Sequence, residues 1–180
     1  DRPYMTTLDA HLLSLDARTG NVLFDVEIDD HTKSYTATVA PLIVKDKVIV
    51  GIAGAEYGIR GFIDAFDANT GKKAWRFWTV PEPGQPGGNT WSGDAWRRGG
   101  GSTWVTGAYD PALNLVYWGT GNPSPDSLGD VRPGDNLYTD SVVALDADTG
   151  TLRWHYQFTP HDVHDWDAVQ VPILADLTIN

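Results

Sequence analysis

One phrase, apolar-Asp-Ala-x-Thr-Gly, occurs three times in the chain, at residues 15–20, 66–71 and 145–150. A short apolar run precedes each copy (11–15, 61–66, 140–145) and another follows it (22–28, 74–79, 152–158). Strand, tight turn and strand make a hairpin. The Asp side chain accepts the turn's backbone N–H groups, and Gly takes the positive φ that strains any residue with a Cβ. Two copies carry Trp at the same offset after the Gly, Trp75 and Trp154, where the first has Phe24. A large aromatic at one place in every unit suits burial against the next unit, so Trp75 and Trp154 are expected to pack.

Further strand pairs lie between the hairpins, 38–44 with 47–52 and 103–109 with 115–119, joined by the turns Lys45-Asp46 and Asp110-Pro111-Ala112. Four strands per unit is the make-up of a propeller blade, so the expected fold class is all-β with four-stranded antiparallel blades. Residues 1–37 end one blade, 38–79 form a blade, and 80–101 are an insertion. Residues 102–158 form a second blade with a long 122–139 loop, and 159–180 open the next, with its first strand at 168–175. The Pro-rich and Gly-rich character of 80–101 and 122–139 excludes strand and helix there, and long connections on a rigid scaffold are where function collects. No helical period is present.

The formal charge of −11 argues against nucleic acid and favours a cation or a basic partner. With no Cys, no disulfide or thiolate metal site can form within these residues. No apolar run reaches the roughly 18 residues of a membrane span. The chain opens on Asp1-Arg2-Pro3 and stops just after a strand-like segment, so it reads as an internal piece of a longer protein and its lack of a signal peptide is uninformative.

Residues 159–168, Thr-Pro-His-Asp-Val-His-Asp-Trp-Asp-Ala, crowd carboxylates and imidazoles between two β-like segments. If Asp165-Trp166-Asp167 is extended, both carboxylates point to one side and repel unless a cation lies between them. A solvated acidic loop is the alternative. Two other strand ends carry an oxygen donor among glycines: Glu56 in Gly54-Ala55-Glu56-Tyr57-Gly58, and Asn122 in Gly119-Thr120-Gly121-Asn122-Pro123. A third, Gly99-Gly100-Gly101-Ser102-Thr103-Trp104, is expected to let a flat ligand approach the backbone. His161 and His164 are read as orienting or solvent-facing, since an all-oxygen hard-ion site has no use for imidazole. Arg132, Asp135 and Asn136 are expected to hold their long loop together.

Gly-Ala-Glu-Tyr-Gly-Ile-Arg-Gly (54–61), Trp-x-Gly-Asp-Ala-Trp (91–96), Tyr-Asp-Pro-x-x-Asn-Leu-x-Tyr-Trp-Gly-Thr-Gly-Asn-Pro (109–123), Arg-Pro-Gly-Asp-Asn (132–136) and Thr-Pro-His-Asp-x-x-Asp (159–165) occur in that order. Together they resemble the pyrroloquinoline quinone (PQQ) dependent alcohol dehydrogenases, the methanol dehydrogenases in particular. That resemblance implies an eight-bladed propeller, of which this chain is a contiguous minority, and the oxidation of a small alcohol. It also implies a periplasmic location, a c-type cytochrome as electron acceptor and a possible homodimer of the full-length protein. It makes Glu56, Asn122 and Asp165 metal ligands, Asp165 the catalytic base, and Trp104 the surface on which PQQ stacks. Thr38, Gly54, Ala55 and Ser102 fall where the family lines the cofactor. A Ser usual at position 53 is Ala here, which puts one cofactor hydrogen bond in question. Asp167 corresponds to the added ligand of the lanthanide-dependent type, where calcium enzymes hold a small or neutral residue. A trivalent ion gains from one more carboxylate. The competing readings are a calcium-dependent alcohol or polyol dehydrogenase, and a non-catalytic propeller scaffold like the outer-membrane assembly lipoproteins.

Overall fold

A computed structural model describes residues 2–178. Its eleven strands fall into three antiparallel sheets. β1 (Tyr4–Thr6), β2 (His11–Leu15) and β3 (Val22–Glu27) form the first. β4 (Leu42–Val44), β5 (Lys47–Gly51), β6 (Phe62–Asp67) and β7 (Lys73–Trp78) form the second. β8 (Ala108–Asp110), β9 (Leu115–Gly119), β10 (Ser141–Asp146) and β11 (Leu152–Gln157) form the third. Each sheet is a meander in chain order. The only helical segments among the described residues are single 3-10 turns.

The repeated phrase folds as its chemistry dictates. Asp16 Oδ1 accepts the backbone N–H groups of Arg18 and Thr19 and the Thr19 hydroxyl at 2.8–3.0 Å. Asp67 and Asp146 do the same for their own turns. Gly20, Gly71 and Gly150 take φ of 73°, 71° and 70°. The pairing slips one residue before each Asp, between Ser14 and Leu15, Ala65 and Phe66, and Ala144 and Leu145. A bulge at the same place in every unit re-aims the strand that leaves the turn.

Neighbouring sheets dock through those turns. Phe24 and Val26 lie against Gly71, and the Trp75 ring lies against Gly150, each within 2.9 Å of where a glycine Cβ would sit. The Trp75 indole N–H donates to Ala147 O at 3.2 Å. Phe24 has no N–H to offer, and at the matching carbonyl, Ala68 O, the Tyr4 hydroxyl donates instead at 2.7 Å. Trp154 lies on the last sheet of the chain, 45% exposed beside Tyr117, with no following sheet among the described residues to receive it. The core lies between the sheets, where β5 and β6 are buried on both faces through Val48, Ile49, Val50, Phe62, Ile63 and Ala65.

The strands expected over 38–44 and 103–109 shorten to β4 and β8, because the residues before them are used elsewhere. Thr36 pairs with Ala53, and Thr103 receives the Ile52 N–H and donates its hydroxyl to Phe62 O. The strand expected over 168–175 does not form among the described residues. Its backbone meets no ladder partner, although Ala168 and Val169 press on Gly119. The two insertions fold as one unit. Thr90 receives Asn136 N–H and Leu137 N–H, the Tyr138 hydroxyl reaches Pro86 O at 3.0 Å, and Trp91 donates to Leu137 O.

Candidate functional site

The run Gly99-Gly100-Gly101 sets the layout of the site through its backbone hydrogen bonds. Gly100 N–H donates to Ile59 O, Gly61 N–H to Gly100 O, and Gly101 N–H to Asn122 O. A Cβ on Gly100 would lie 2.7 Å from Ser124 N and 2.8 Å from Asn122 O. Gly100 admits a neighbouring backbone, whereas Gly99 and Gly101 lie against the side chains of Trp91, Val80, Thr79 and Thr139. The run zips the loop that carries Glu56 to the loop that carries Asn122.

Glu56 sits exposed in a 3-10 turn, Ala55–Tyr57, bounded by Gly54 (φ 116°) and Gly58 (φ 74°). A Cβ at Gly54 would strike Ser34 O at 2.3 Å, so only glycine carries the chain from β5 into this turn. Ala55 is buried behind Glu56.

Four of the expected residues gather at Gly121. Its N–H donates to Ser102 O at 2.8 Å. The space a Cβ would take is bounded by the Trp104 ring at 2.5 Å and Asp167 Oδ1 at 3.0 Å. Asn122 N–H donates to Asp167 Oδ1 at 3.3 Å. Ser102 and Asn122 are buried, while Trp104 and Asp167 are half-buried. Thr38 lies apart, exposed two residues beyond the Thr36–Ala53 bridge.

Asp165 and Asp167 do not form an extended pair. Their φ values are 63° and 46°, in the left-handed region. The cause is Asp162, a buried carboxylate whose two oxygens accept His164 N–H at 3.0 Å and Trp166 N–H at 2.9 Å, winding the chain into a turn. Trp166 is turned to solvent, and Asp165 is exposed. His161 orients its loop, its Nδ1 standing 2.8 Å from Gly134 O, and His164 faces solvent. Arg132 holds its loop as expected. Fully buried, it donates to Pro125 O, Asp126 O, Asn136 Oδ1 and Asp162 O.

Three carboxylates that the sequence did not single out belong to this neighbourhood. Asp162 is one. Asp126 accepts from the Asn122 side-chain amide at 2.7 Å, and burial together with Asp165 and Glu56 raises its carboxyl above the ordinary range. Asp140 is fully buried with neither oxygen hydrogen-bonded, and burial, then Asp162 and Asp167, push it up to about 8. Asp167 is raised to about 6 by burial and by Asp165, Glu56 and Asp126. Among the described residues no ion pair engages Glu56, Asp126, Asp165 or Asp167.

These four carboxylates feel one another electrostatically, but no three acidic or imidazole side chains among the described residues form a ready-made metal cage. Like charges with no basic side chain between them hold apart. The donor set is nonetheless all oxygen, strongly acidic and backed by an orphaned buried carboxyl. That chemistry suits a hard, highly charged cation.

The family described as PQQ glucose/ethanol/alcohol dehydrogenase, β-propeller domain, matches residues 1–180. The chain belongs to this family of PQQ-dependent dehydrogenases. It is 49% identical, over its full length and 28% of the relative's, to the quinohemoprotein alcohol dehydrogenase ADH IIB of Pseudomonas putida. It is 43% identical, over 98% of its length and 32% of the relative's, to the lanthanide-dependent methanol dehydrogenase of Methylacidiphilum fumariolicum (strain SolV). Among solved structures, a europium-containing methanol dehydrogenase superposes with a TM-score of 0.91 at 42% identity, covering 99% of this chain and 34% of that one. The chain therefore spans about a third or less of the length of these PQQ dehydrogenases. Its fold is part of their all-β propeller.

Proposed function

We propose that this chain supplies the metal-facing and one quinone-facing wall of a PQQ-dependent dehydrogenase that oxidises a small primary alcohol to the aldehyde with a lanthanide ion. The observation that carries this reading is the meeting at Gly121 of an aromatic face, Trp104, with the metal-type donors Asn122 and Asp167. Glu56, Asn122, Asp165 and Asp167 would hold the metal. Trp104 would carry the quinone, with Thr38, Gly54, Ala55 and Ser102 along its edge. When bound, the metal and quinone supply a polarised carbonyl that takes up the carbinol hydride.

The chain's own part is acid–base chemistry and positioning. Asp165, exposed at the mouth, accepts the alcohol O–H proton on a carboxylate oxygen. The Asp162 cap fixes where that carboxylate sits. Glu56, Asp165 and Asp167 together carry three negative charges, which suits a trivalent ion better than calcium.

Support for a cytochrome acceptor comes from the name of a relative at 43% identity, the methanol dehydrogenase (cytochrome c) subunit 1 of Methylorubrum extorquens. A c-type cytochrome in the periplasm is the acceptor and the setting that fit the family. No helix among the described residues is long and apolar enough to cross a membrane.

The test is dye-linked, NAD-independent oxidation of primary alcohols by the full-length protein, reconstituted with PQQ and either La³⁺ or Ca²⁺. Activity with La³⁺ that exceeds activity with Ca²⁺, and a loss of roughly 10²–10⁴-fold in Asp165→Asn, are expected. Equal activity with Ca²⁺ would remove the lanthanide assignment, and activity retained in Asp165→Asn would remove the base.

A further inference from the structure

We infer that Asp126 is a positioning residue for the metal site, fixing which end of the Asn122 amide faces the cation. The inference rests on the metal site proposed above. The Asn122 Nδ2 group donates to Asp126 Oδ1 at 2.7 Å, with a longer approach to Pro123 O at 3.4 Å. An ionised carboxylate only accepts hydrogen bonds, and a carboxamide has one donor end and one acceptor end. Turning the Asn122 amide over would set its Oδ1 against Asp126 Oδ1 at the same separation, two acceptors in contact with no proton between them. The amide is therefore locked with its nitrogen on Asp126 and its oxygen turned away, the only end of the group able to ligate a hard cation. The backbone N–H of Asn122, on Asp167 Oδ1 at 3.3 Å, ties the same residue to a second proposed ligand.

Asp126 can do this because it is itself held. The buried Arg132 guanidinium donates through Nη2 to Asp126 O at 2.8 Å and through Nε to Pro125 O at 3.0 Å. The 122–139 loop is thereby drawn over Asn122, and Asp126 shares the field of Glu56 and Asp165. Arg132 places Asp126, Asp126 orients Asn122, and Asn122 presents one oxygen. Two consequences differ in kind: the amide orientation needs an acceptor at position 126, whereas attraction for the ion needs only its charge.

The test is direct Eu³⁺ luminescence on the full-length apoprotein without PQQ, reading affinity from titration and the number of ion-bound waters from lifetimes in H₂O and D₂O. Three variants are compared with wild type. Asp126→Asn keeps an acceptor for Asn122 and removes the charge. Asp126→Leu keeps the shape and removes both, and Glu56→Gln reports the site itself. Asp126→Leu is expected to weaken Eu³⁺ binding by tenfold or more and to gain about one bound water, as the amide oxygen leaves the ion. Asp126→Asn is expected to weaken binding less and keep the wild-type water number. An Asp126→Leu protein with wild-type affinity and water number overturns the inference while leaving the metal site standing. So does an equal gain of water in both variants, which would make charge alone responsible. Failure of the wild type to bind Eu³⁺, or indifference to Glu56→Gln, removes the metal reading and this inference with it.

Discussion

The Asp162 carboxylate accepts the backbone N–H of Trp166 at 2.9 Å, and this contact turns Asp165 outward in a segment where both Asp165 and Asp167 are left-handed. The same carboxylate takes His164 N–H, so one buried side chain shapes the segment that carries both aspartates. Asp162→Ala should cost about 1–2 kcal/mol locally, as the loss of a helix cap does, and lower kcat/KM by an order of magnitude or more. Asp162→Asn, which keeps one acceptor, should fall between. Steady-state kinetics and amide exchange over 163–167 in the full-length protein check this; exchange unchanged in Asp162→Ala would show that the turn holds without its cap.

The glycines of the repeated turns separate conformational strain from crowding. Gly20 and Gly150 share a φ near 70°, but a Cβ on Gly20 meets nothing within 4 Å, whereas one on Gly150 meets the Trp75 ring at 2.6 Å. Gly20→Ala should cost about 1 kcal/mol, the price of the left-handed backbone alone, and Gly150→Ala about 2–4 kcal/mol. Urea denaturation of the full-length variants measures the difference, and equal losses would mean that Trp75 moves aside freely.

Asp140 makes a pH prediction with a definite sign. Its folded pKa, about 8, lies above the unfolded carboxyl value, so the folded metal-free protein holds a proton that the unfolded chain releases. Its contribution to stability is complete below about pH 4 and declines as pH rises through 8. Asp140→Asn should remove that decline, leaving the variant more stable than wild type at pH 8 by on the order of a few kcal/mol and close to it at pH 4. Thermal unfolding of both apoproteins across that range tests it, and parallel pH profiles would refute it.

Asp167, raised to about 6, pits a proton against the cation. Metal affinity of the full-length protein should weaken steeply below pH 6, because the ligand must be ionised to bind. Asp167→Ala should flatten that pH dependence and narrow the preference for La³⁺ over Ca²⁺. Titrations at pH 5 and pH 7.5 with both ions give the answer, and an unchanged preference would place Asp167 outside the coordination sphere.

What could be read from the amino acids tracks the range of the forces involved. Hairpins built on Asp16, Asp67 and Asp146 were legible because donor, acceptor and Gly lie within five residues of one another. The four-stranded sheets followed from them together with the turns at Lys45-Asp46 and Asp110-Pro111-Ala112. The backbone of 165–167 was not legible, since its conformation depends on the caps from Asp162 and not on the alternation of a strand. Asp126 escaped notice because its role requires Arg132 to bend the loop back onto Asn122. Residues 168–175 have a strand-like pattern, but a strand is made by its ladder partners, and the described residues offer none. The glycine run reads as a place of close approach, and at Gly100 the group that approaches is the backbone of Asn122 to Ser124.

Ala68 O and Ala147 O each receive a hydrogen bond from an aromatic side chain of the preceding sheet, yet the donor is a phenol in one case and an indole in the other. The constant half of this joint is a peptide group, which substitution of its own side chain cannot delete. The variable half can come from a different strand altogether, β1 for Tyr4 and β7 for Trp75. The spacing between neighbouring sheets is thus keyed to the receiving turn, and the aromatic plug can be exchanged without resetting it.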